Sequence, residues 1–431
     1  MFCQLEVLRH CFPSSVRQIL EELPESLDET YERILREIRK PNQGHAHRLL
    51  QCLVVAARPL RVEELAEILT FDFKAEGIPN QNPGWRWEDQ EAAVLSACSS
   101  LVIIVKDGDS RIAQFSHFSV KEFLTATRLS EPIRDVSRYH IQLETAHAIL
   151  AQACLGVLLR LDDRVDRDNI ENFPLARYAA QYWPTHARFE NASLRIKDGM
   201  KRLFDADKPH YATWLWIYDE YSGSSMSTMF PEKPDVVPLY YAARFELRDL
   251  VEHLIAEHPE HVNARVGDSR ILGRIVLRGG RANILSLLLE HGADVEDRGM
   301  VWSPLLLASS EGNVETGQCL LDHGANINAR NNLGETPLFR AVFNEHVEFA
   351  RMLLINKRMA SINDLDDNFG WTPLHLAVYT RNIQAVRLLL EHGADVNARS
   401  KTGNTPSEVG SLYGYQEIVE LLSEFGAESP K

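Results

Sequence analysis

The chain has 431 residues, a length that predicts two to four domains. Apolar residues make up 45% and charged residues 25%, values typical of globular proteins, which excludes a mostly disordered chain, a collagen and a simple coiled coil. With 61 acidic and 46 basic residues the net charge is −15, which disfavours a dedicated nucleic-acid-binding protein because phosphate recognition needs a basic surface.

Three sequence features concern the compartment. Charge appears already at Glu6 and no apolar segment precedes it, so we expect no secretory signal. The longest nearly apolar stretch, residues 149–159, is about half the length of a membrane-spanning helix. The six cysteines are scattered and never spaced C-x-x-C, a pattern typical of reduced thiols rather than of disulfides or a zinc site. We therefore expect a soluble protein, cytoplasmic or nuclear, that binds no membrane.

The first 130 residues predict several helices and one hairpin. Ser26 and Glu29 form a capping-box pattern before a helix with an apolar stripe. Asp107-Gly108 separates two strand-like segments and is typical of a tight hairpin turn. The predicted elements are two helices within 14–40, helices over 45–57, 62–69, 88–97 and 119–128, and strands over 101–105 and 111–115. Three helices followed by a hairpin is the order of a winged helix.

A winged helix suggests DNA binding, which we reject on charge. The helix in the recognition position, Trp87–Cys98, carries three acidic residues and no basic one, so it offers phosphates no attraction. Nucleic-acid binding is kept as the weaker alternative. An electrophoretic shift with a steep salt dependence would support it.

Residues 1–130 resemble fungal NACHT proteins, signal-transducing STAND ATPases related to the NOD-like receptors. The matching segments, in that family's order, are Phe2–Arg9, Leu23–Leu35, Arg58-Pro-Leu60 and Phe115–Leu124. They correspond to the helical and winged-helix region that follows the family's nucleotide-binding core. In the family a winged-helix histidine contacts the nucleotide phosphate, and His117 matches that histidine. The alternative, which we favour, is that His117 caps a helix.

The nucleotide-binding core itself is not found. A P-loop requires G-x-x-x-x-G-K-[ST], and no lysine of this chain follows a glycine. We expect no ATP hydrolysis and no cofactor, with His117 near a nucleotide only if a core is supplied in trans. The resemblance implies an accessory or decoy of NACHT-type innate immune or signalling receptors. The alternative is a fragment or incomplete gene model of a P-loop ATPase receptor, which a P-loop in the upstream genomic sequence would reveal.

Residues 131–234 are less informative. Apolar periodicity predicts helices over 139–160 and 173–183, and Ser222–Pro234 has the composition of a turn-rich linker. The resemblance implies a helical arm here, whose tryptophans and tyrosines are core residues rather than a binding site.

The last part of the chain repeats itself. Pro304, Pro337, Pro373 and Pro406 each follow a serine or threonine, at intervals of 33, 36 and 33 residues. Such a pair begins a helix, because the hydroxyl caps it and proline fits the first helical position. A glycine 20 residues after three of these prolines is typical of the left-handed cap that ends a second helix.

These repeats resemble the ankyrin repeat, since Trp371–Ala377 nearly matches its T-P-L-H-x-A signature. The resemblance covers 235–428 in about six copies, of which the first two are degenerate. The copy at 335 has three extra residues and lacks the glycine, and the copy at 271 has Leu272 for proline, so we expect irregularity at both. The predicted fold is mostly α, with a NACHT-associated helical and winged-helix module carrying a small β-hairpin (1–130), a helical arm and linker (131–234), and an ankyrin-repeat solenoid (235–431).

Residues at repeating positions hold the fold, so specificity falls to variable surface positions. His291, His323 and His392 share one repeat position, which indicates a structural role rather than a metal cluster. In ankyrin stacks the variable surface comprises the turn tips and the exposed face of each first helix, on an extended concave side. We predict a partner-binding surface formed by Trp302, Ser310, Glu311, Glu335, Phe343, Asn344, Trp371, Tyr379, Thr380 and Asn404. Exposed aromatic residues are hot-spot candidates; the alternative is that the two tryptophans pack on neighbouring turns.

Catalytic motifs such as G-x-S-x-G and H-E-x-x-H do not occur. Cys3 and Cys11 have no organised partner that would activate a thiol nucleophile. His253, His258 and His261 are spaced by five and three residues, which do not place all three on one helical face, so we expect no metal. The sequence predicts a non-enzymatic protein-protein interaction protein whose partner is a protein of unknown identity, with a NACHT-bearing relative as one candidate.

Overall fold

The computed structural model describes residues 26–73, 77–131, 135–162, 165, 169–189, 191–221, 237–267, 269–297, 302–356 and 360–428. The chain divides into two compact units, an N-terminal unit of residues 1–234 and a repeat unit of residues 235–431. Some predicted features lie outside the described residues, namely the helix before residue 26, the segment Phe2–Arg9, Cys3, Cys11 and the linker Ser222–Pro234.

A winged helix opens the N-terminal unit. Its elements are α1 (Leu27–Glu37), α2 (Gln43–Val55), β1 (Leu60–Arg61), α3 (Val62–Ile68), β2 (Phe71–Asp72), β3 (Asn80–Gln81), α4 (Gln90–Cys98), β4 (Val102–Asp107), β5 (Ser110–Phe115) and α5 (Phe118–Thr125). Strands β1, β5 and β4 form one antiparallel sheet in that order, and β2 pairs with β3. The Ser26 hydroxyl accepts the Glu29 N–H at 3.2 Å and caps α1. The predicted winged-helix order is thereby confirmed.

Four helices of the arm complete this unit. They are α6 (Leu143–Leu158), α7 (Ala176–Ala187), α8 (Ala192–Leu203) and α9 (Pro209–Tyr221). Helix α6 packs against α2, α7 and α8, so the arm and the winged helix share a core. Trp183 and Trp214 are fully buried with ring centroids 5.9 Å apart, and the Trp214 indole N–H donates to the Ala180 carbonyl at 3.1 Å. The interpretation of these tryptophans as core residues is confirmed.

A chain of hydrogen bonds crosses this core. The backbone N–H of Ala57 donates to the Tyr178 hydroxyl at 3.0 Å, and that hydroxyl lies 2.8 Å from Nε2 of His186. Nδ1 of His186 lies 2.9 Å from Nδ1 of His147, whose ring stacks on Phe189 at 4.0 Å. Every donor is satisfied if Tyr178 donates to a neutral His186, which in turn donates to His147. The arrangement therefore requires both imidazoles to be uncharged.

We expect the N-terminal unit to lose stability on mild acidification. Burial, together with His147, lowers the pKa of His186 to about 3, and burial beside Lys121 lowers the pKa of His147 to about 4. These groups stabilise the fold fully above an unfolded pKa of about 6.5, and the contribution is lost as the pH falls from there toward the folded values. For buried His186 the loss is about 2 kcal/mol at pH 5. Urea unfolding at pH 7 and pH 5, followed by hydrogen exchange of α6 and α7, measures it.

The variant His186→Gln separates this titration from other pH effects, because an amide can bond to Tyr178 but takes up no proton. Its stability should fall less between pH 6.5 and pH 5 than that of the wild type. A control, His291→Gln, lies in the other unit and should leave the pH dependence of α6 and α7 as it is. An equal loss in His186→Gln and wild type would show that His186 does not titrate as stated.

The repeat unit consists of helix pairs. They are α10 (Pro238–Arg244) with α11 (Arg248–Glu257), α12 (Ile271–Leu277) with α13 (Ala282–Glu290), α14 (Pro304–Glu311) with α15 (Val314–Asp322), α16 (Pro337–Phe343) with α17 (Val347–Ile355), α18 (Pro373–Tyr379) with α19 (Ile383–Glu391), and α20 (Pro406–Leu412) with α21 (Gln416–Glu424). First helices pack on the next first helices, and from α13 onward second helices pack on the next second helices. The ankyrin-type solenoid is confirmed.

The predicted caps explain where these helices begin. The hydroxyls of Ser303, Thr336, Thr372 and Thr405 each accept the N–H three residues on, at 3.2–3.4 Å. Helix α12 differs, as expected, because it begins without a side-chain cap and follows a short pair of strands, β6 (Arg265–Val266) and β7 (Ser269–Arg270). The other predicted irregularity falls on residues 357–359, outside the described part of the chain.

Candidate protein-binding surface of the repeat unit

Five of the ten predicted binding residues surround one arginine. The guanidinium carbon of Arg340 lies 4.4 Å from the ring centroid of Trp302 and 4.9 Å from that of Phe343. Its Nη1 lies 3.5 Å from a carboxylate oxygen of Glu335, and its side chain is 13% exposed. Trp302 therefore packs on the guanidinium of the following repeat, and Phe343, 47% exposed, forms the outer side of this stack. Such stacking is a cation–π contact.

Ser310 and Asn344 belong to the same group. The Ser310 hydroxyl accepts hydrogen bonds from the Asn344 amide at 3.0 Å and from Arg340 at 3.3 Å. The Ser310 carbonyl accepts one from Nε2 of His346 at 3.0 Å. Glu311 is exposed at the end of α14. Two consecutive first helices are thus joined at their ends, so this part of the surface is held rigid.

Glu335 does not meet the expectation of an exposed turn residue. It is 8% exposed, and one carboxylate oxygen accepts the side-chain N–H of Asn331 at 2.6 Å. Asn331 in turn accepts the Glu335 N–H at 3.0 Å, because the turn folds back on itself. A partner cannot use Glu335 as an open contact; the residue positions Arg340 instead.

The last two repeats present a row of aromatic rings, which we call the aromatic ridge: Phe369, Trp371, Tyr379, Tyr413 and Tyr415. Successive ring centroids lie 5.3, 5.0, 5.4 and 5.9 Å apart. Phe369, Tyr379 and Tyr413 are 60%, 43% and 50% exposed. The guanidinium carbon of Arg381 lies 5.6 Å from the Tyr415 centroid and ends the row with a positive charge.

Backbone hydrogen bonds link successive turn tips beneath the ridge. The Asp367 N–H donates to the Leu333 carbonyl at 2.8 Å, and the Lys401 N–H donates to the Phe369 carbonyl at 2.9 Å. Three turns therefore form one continuous edge. Because the edge is already ordered, binding to it costs less conformational entropy than binding to separate loops.

The two remaining predicted residues lie beside the ridge. The Thr380 hydroxyl donates to the Leu376 carbonyl at 3.0 Å, so it serves its own helix end. Asn404 is exposed, and its carbonyl accepts a hydrogen bond from Nε2 of His375 at 3.0 Å. The structure thus brings Trp371 and Tyr379 together in the ridge and leaves Thr380 and Asn404 at its border.

Sequence reasoning missed Arg340, Phe369, Tyr413 and Tyr415. Tyr413-Gly-Tyr415 occupies the same place after α20 as Thr380-Arg381 and its following residue after α18, so alignment on the repeat prolines would have found it. Phe369 lies two residues before Trp371, a distance at which extended backbone places side chains on one face. Arg340 carried no signal, because a cation inside a first helix gives no hint of the rings it contacts.

In the winged helix, His117 is an exposed helix cap. Its Nδ1 accepts the Ser119 N–H at 3.3 Å and lies 2.6 Å from the Ser119 hydroxyl. That hydroxyl also bonds to the Tyr31 hydroxyl at 2.7 Å. These contacts hold α1 and the start of α5 together, which agrees with the cap interpretation of His117.

The face expected to read DNA carries mixed charge. On the wing, Arg111 forms an ion pair with Glu91 of α4. An open groove of about 880 Å³ beside α4 is lined by Glu88 and Asp89 as well as by Arg48 and Arg86. Because the cations are matched by carboxylates, this face lacks the basic footprint of a nucleic-acid-binding surface.

One group of side chains in the repeat unit has the donors of a metal site. His258, Glu260 and His261 follow α11, and their ligand atoms all lie within 4.8 Å of one another. The argument against a metal from histidine spacing assumed one helical face that included His253. In the structure α11 ends at Glu257 and a 3₁₀ turn, Pro259–Asn263, begins, so the spacing rule of an α-helix does not apply.

Two family models match the chain. The model for ankyrin repeats matches three overlapping segments, residues 239–331, 272–366 and 358–430. The model for the winged helix domain of GPI inositol-deacylase matches residues 13–132. The repeat unit therefore consists of ankyrin repeats, a fold used for protein-protein interaction and as a rule without enzymatic activity. Neither model covers a nucleotide-binding core.

Individual proteins share parts of this sequence. The azaphilone pigments biosynthesis cluster protein L of Monascus ruber is 33% identical over 294 residues, which are 64% of this chain and 61% of that protein. Ankyrin repeat protein nuc-2 of Neurospora crassa is 31% identical over 134 residues, 30% of this chain and 12% of that protein. Mouse ankyrin repeat and SAM domain-containing protein 6 is 32% identical over 106 residues, 24% and 12% of the two chains. The chain spans less than two thirds of the length of each of them.

None of the described helices combines the length and the apolar character that crossing a bilayer requires.

Proposed function

We propose that the repeat unit binds a partner protein through the aromatic ridge together with the group around Arg340. The observation that carries this proposal is the row of neighbouring rings, three of them 43–60% exposed, on one ordered edge. Folding alone gives no reason to leave such rings in water, because each would be more stable buried. Tyrosine, tryptophan and arginine are the residues that most often dominate binding energy at protein interfaces.

The chemistry of the surface indicates the kind of partner. Tyr379, Tyr413 and Tyr415 offer apolar ring faces with hydroxyls at their edges, and Arg381 adds a positive charge. A segment with apolar side chains and a nearby carboxylate complements this surface. The side chain of Arg340 is 13% exposed and stays with Glu335 and Trp302, so its role is to hold the rings in place.

Affinity capture tests the proposal. The tagged full chain and the double variant Tyr379→Ala/Tyr413→Ala are expressed in the source organism, and captured proteins are compared by quantitative mass spectrometry. Ile355→Ala is a matched control, because Ile355 is 68% exposed in the same unit but lies at the end of a second helix. Proteins captured by wild type and control but lost from the double variant support the proposal. Identical sets from all three chains contradict it.

We further propose that the winged helix docks on a NACHT-bearing relative, which makes the chain an accessory or decoy of such a receptor in the cytoplasm. The four segments that resemble NACHT proteins and the winged-helix match over residues 13–132 support docking. The buried free thiols of Cys52, Cys98 and Cys154 support a reducing compartment. Absence of every NACHT-bearing protein from the captured set would contradict this part while leaving the ridge proposal in place.

A further inference from the structure

The turn after α11 stacks two imidazoles beside a carboxylate. Side chains three residues apart eclipse on a 3₁₀ turn, and the rings of His258 and His261 accordingly lie 4.9 Å apart at 27°. An oxygen of Glu260 lies 3.3 Å from Nδ1 of His258 and 3.9 Å from Nε2 of His261. Three ligand atoms of two kinds thus face one point.

Comparison with the other repeats shows that this is not the ordinary role of the repeat histidine. At the equivalent position, Nδ1 of His291, His323 and His392 bonds to the carbonyl four residues earlier, at 2.8–2.9 Å. In the first repeat, Pro259 replaces the capping glycine, and Nδ1 of His258 pairs with Glu260 instead. The imidazole has therefore been moved from a structural bond to a group of ligand atoms.

The far end of the turn is fixed to the next repeat. The Asn263 side chain donates to the Gly292 carbonyl at 2.8 Å and accepts the Asp294 N–H at 2.9 Å. The backbone carrying the ligands is therefore ordered without any ion. The ligating side chains themselves are 51%, 66% and 30% exposed for His258, Glu260 and His261, so their χ angles can adjust.

We propose that His258 Nδ1, Glu260 Oε1 and His261 Nε2 bind a Zn²⁺ ion. Two neutral imidazoles and one carboxylate form a donor set that zinc uses with bonds of about 2.0–2.2 Å, with water in the fourth position of a tetrahedron. Ligand atoms in such a tetrahedron lie about 3.3 Å apart, a separation that the His258–Glu260 pair already has within error of rotation. The ion would also offset the carboxylate charge of Glu260, which lies between the two rings.

Calorimetric titration of the metal-free full chain with ZnCl₂, under reducing conditions, tests this site. Wild type should show a binding event that is weakened at least about tenfold in Glu260→Gln and in His261→Ala, since loss of even an outer partner of a metal ligand costs about 10–100-fold. The control His291→Ala removes the equivalent histidine of the next repeat and should retain the event. Circular dichroism of each metal-free variant separates loss of a ligand from loss of the fold.

Co²⁺ supplies a second readout, because its visible absorption depends on the number and geometry of its ligands. The spectrum of the wild-type chain with Co²⁺ should change in His261→Ala and stay the same in His291→Ala. Two results would overturn the proposal: no Zn²⁺ binding by the metal-free wild type, or equal affinity in wild type and His261→Ala. Neither result bears on the aromatic ridge.

Discussion

Replacing Glu64 with alanine should lower the free energy of unfolding of the N-terminal unit by about 3 kcal/mol, the scale of breaking a buried ion pair. The Glu64 side chain is fully buried, and its two oxygens accept four hydrogen bonds. Arg58 donates two of them at 2.6 and 2.8 Å, and Arg61 donates the others from its side chain at 3.2 Å and its backbone at 2.7 Å. The substitution leaves all four donors without their acceptor.

The effect should reach the arm, because Arg58 also lies over the ring of Tyr178 at 4.9 Å. Hydrogen exchange of α3 and α7, measured with urea unfolding, reports both sites. Glu63→Ala is the control, since it removes a carboxylate from the same helical turn that is not buried and should cost at most about 1 kcal/mol. A loss in Glu64→Ala no larger than in Glu63→Ala would show that the buried carboxylate does not organise this region.

The second large effect is expected in the repeat unit, where Gly312→Ala should cost about 2–3 kcal/mol. Gly312 follows α14 with φ of 71°, a left-handed conformation that costs other residues about 1 kcal/mol. An added Cβ would lie 2.6 Å from the ring of His346, which donates to the Ser310 carbonyl. Alanine therefore adds steric strain to conformational strain and displaces a bond between repeats.

Two glycines serve as matched controls for Gly312. Gly279 and Gly414 have φ of 73° in comparable places after first helices, and a Cβ there would meet no atom within 4 Å. Alanine at either should cost only the conformational term, about 1 kcal/mol. Thermal unfolding and hydrogen exchange of α14 and α17 compare the three variants. Equal losses at all three positions would mean that the His346 contact contributes nothing.

The sequence predicted the elements more fully than the contacts between them. Serine or threonine before proline located four first helices, because an N-cap and a proline act within one turn of chain. The hairpin turn at Asp107-Gly108 was likewise local. In contrast, Glu64 at a buried position and the bond between His147 and His186 depend on segments that meet only in the folded unit. No periodicity reports such pairs.

The candidate site was predicted in part for the same reason. Exposed aromatic residues at turn and helix-end positions pointed correctly to Trp371 and Tyr379 as neighbours of other repeats' side chains. Burial of Glu335 was missed, because its partner Asn331 lies across the turn that both residues shape. The stacked pair of His258 and His261 was missed because the sequence did not show where α11 ends and a 3₁₀ turn begins.

The central claim is that the aromatic ridge binds a protein partner. It is tested most directly by the dissociation constant of the full chain for a captured partner, measured by biolayer interferometry. We predict that Tyr379→Ala/Tyr413→Ala raises this constant at least about 30-fold, equivalent to the loss of about 2 kcal/mol typical of a hot spot, while Ile355→Ala leaves it unchanged. A double variant that binds the partner as tightly as the wild type would contradict the claim.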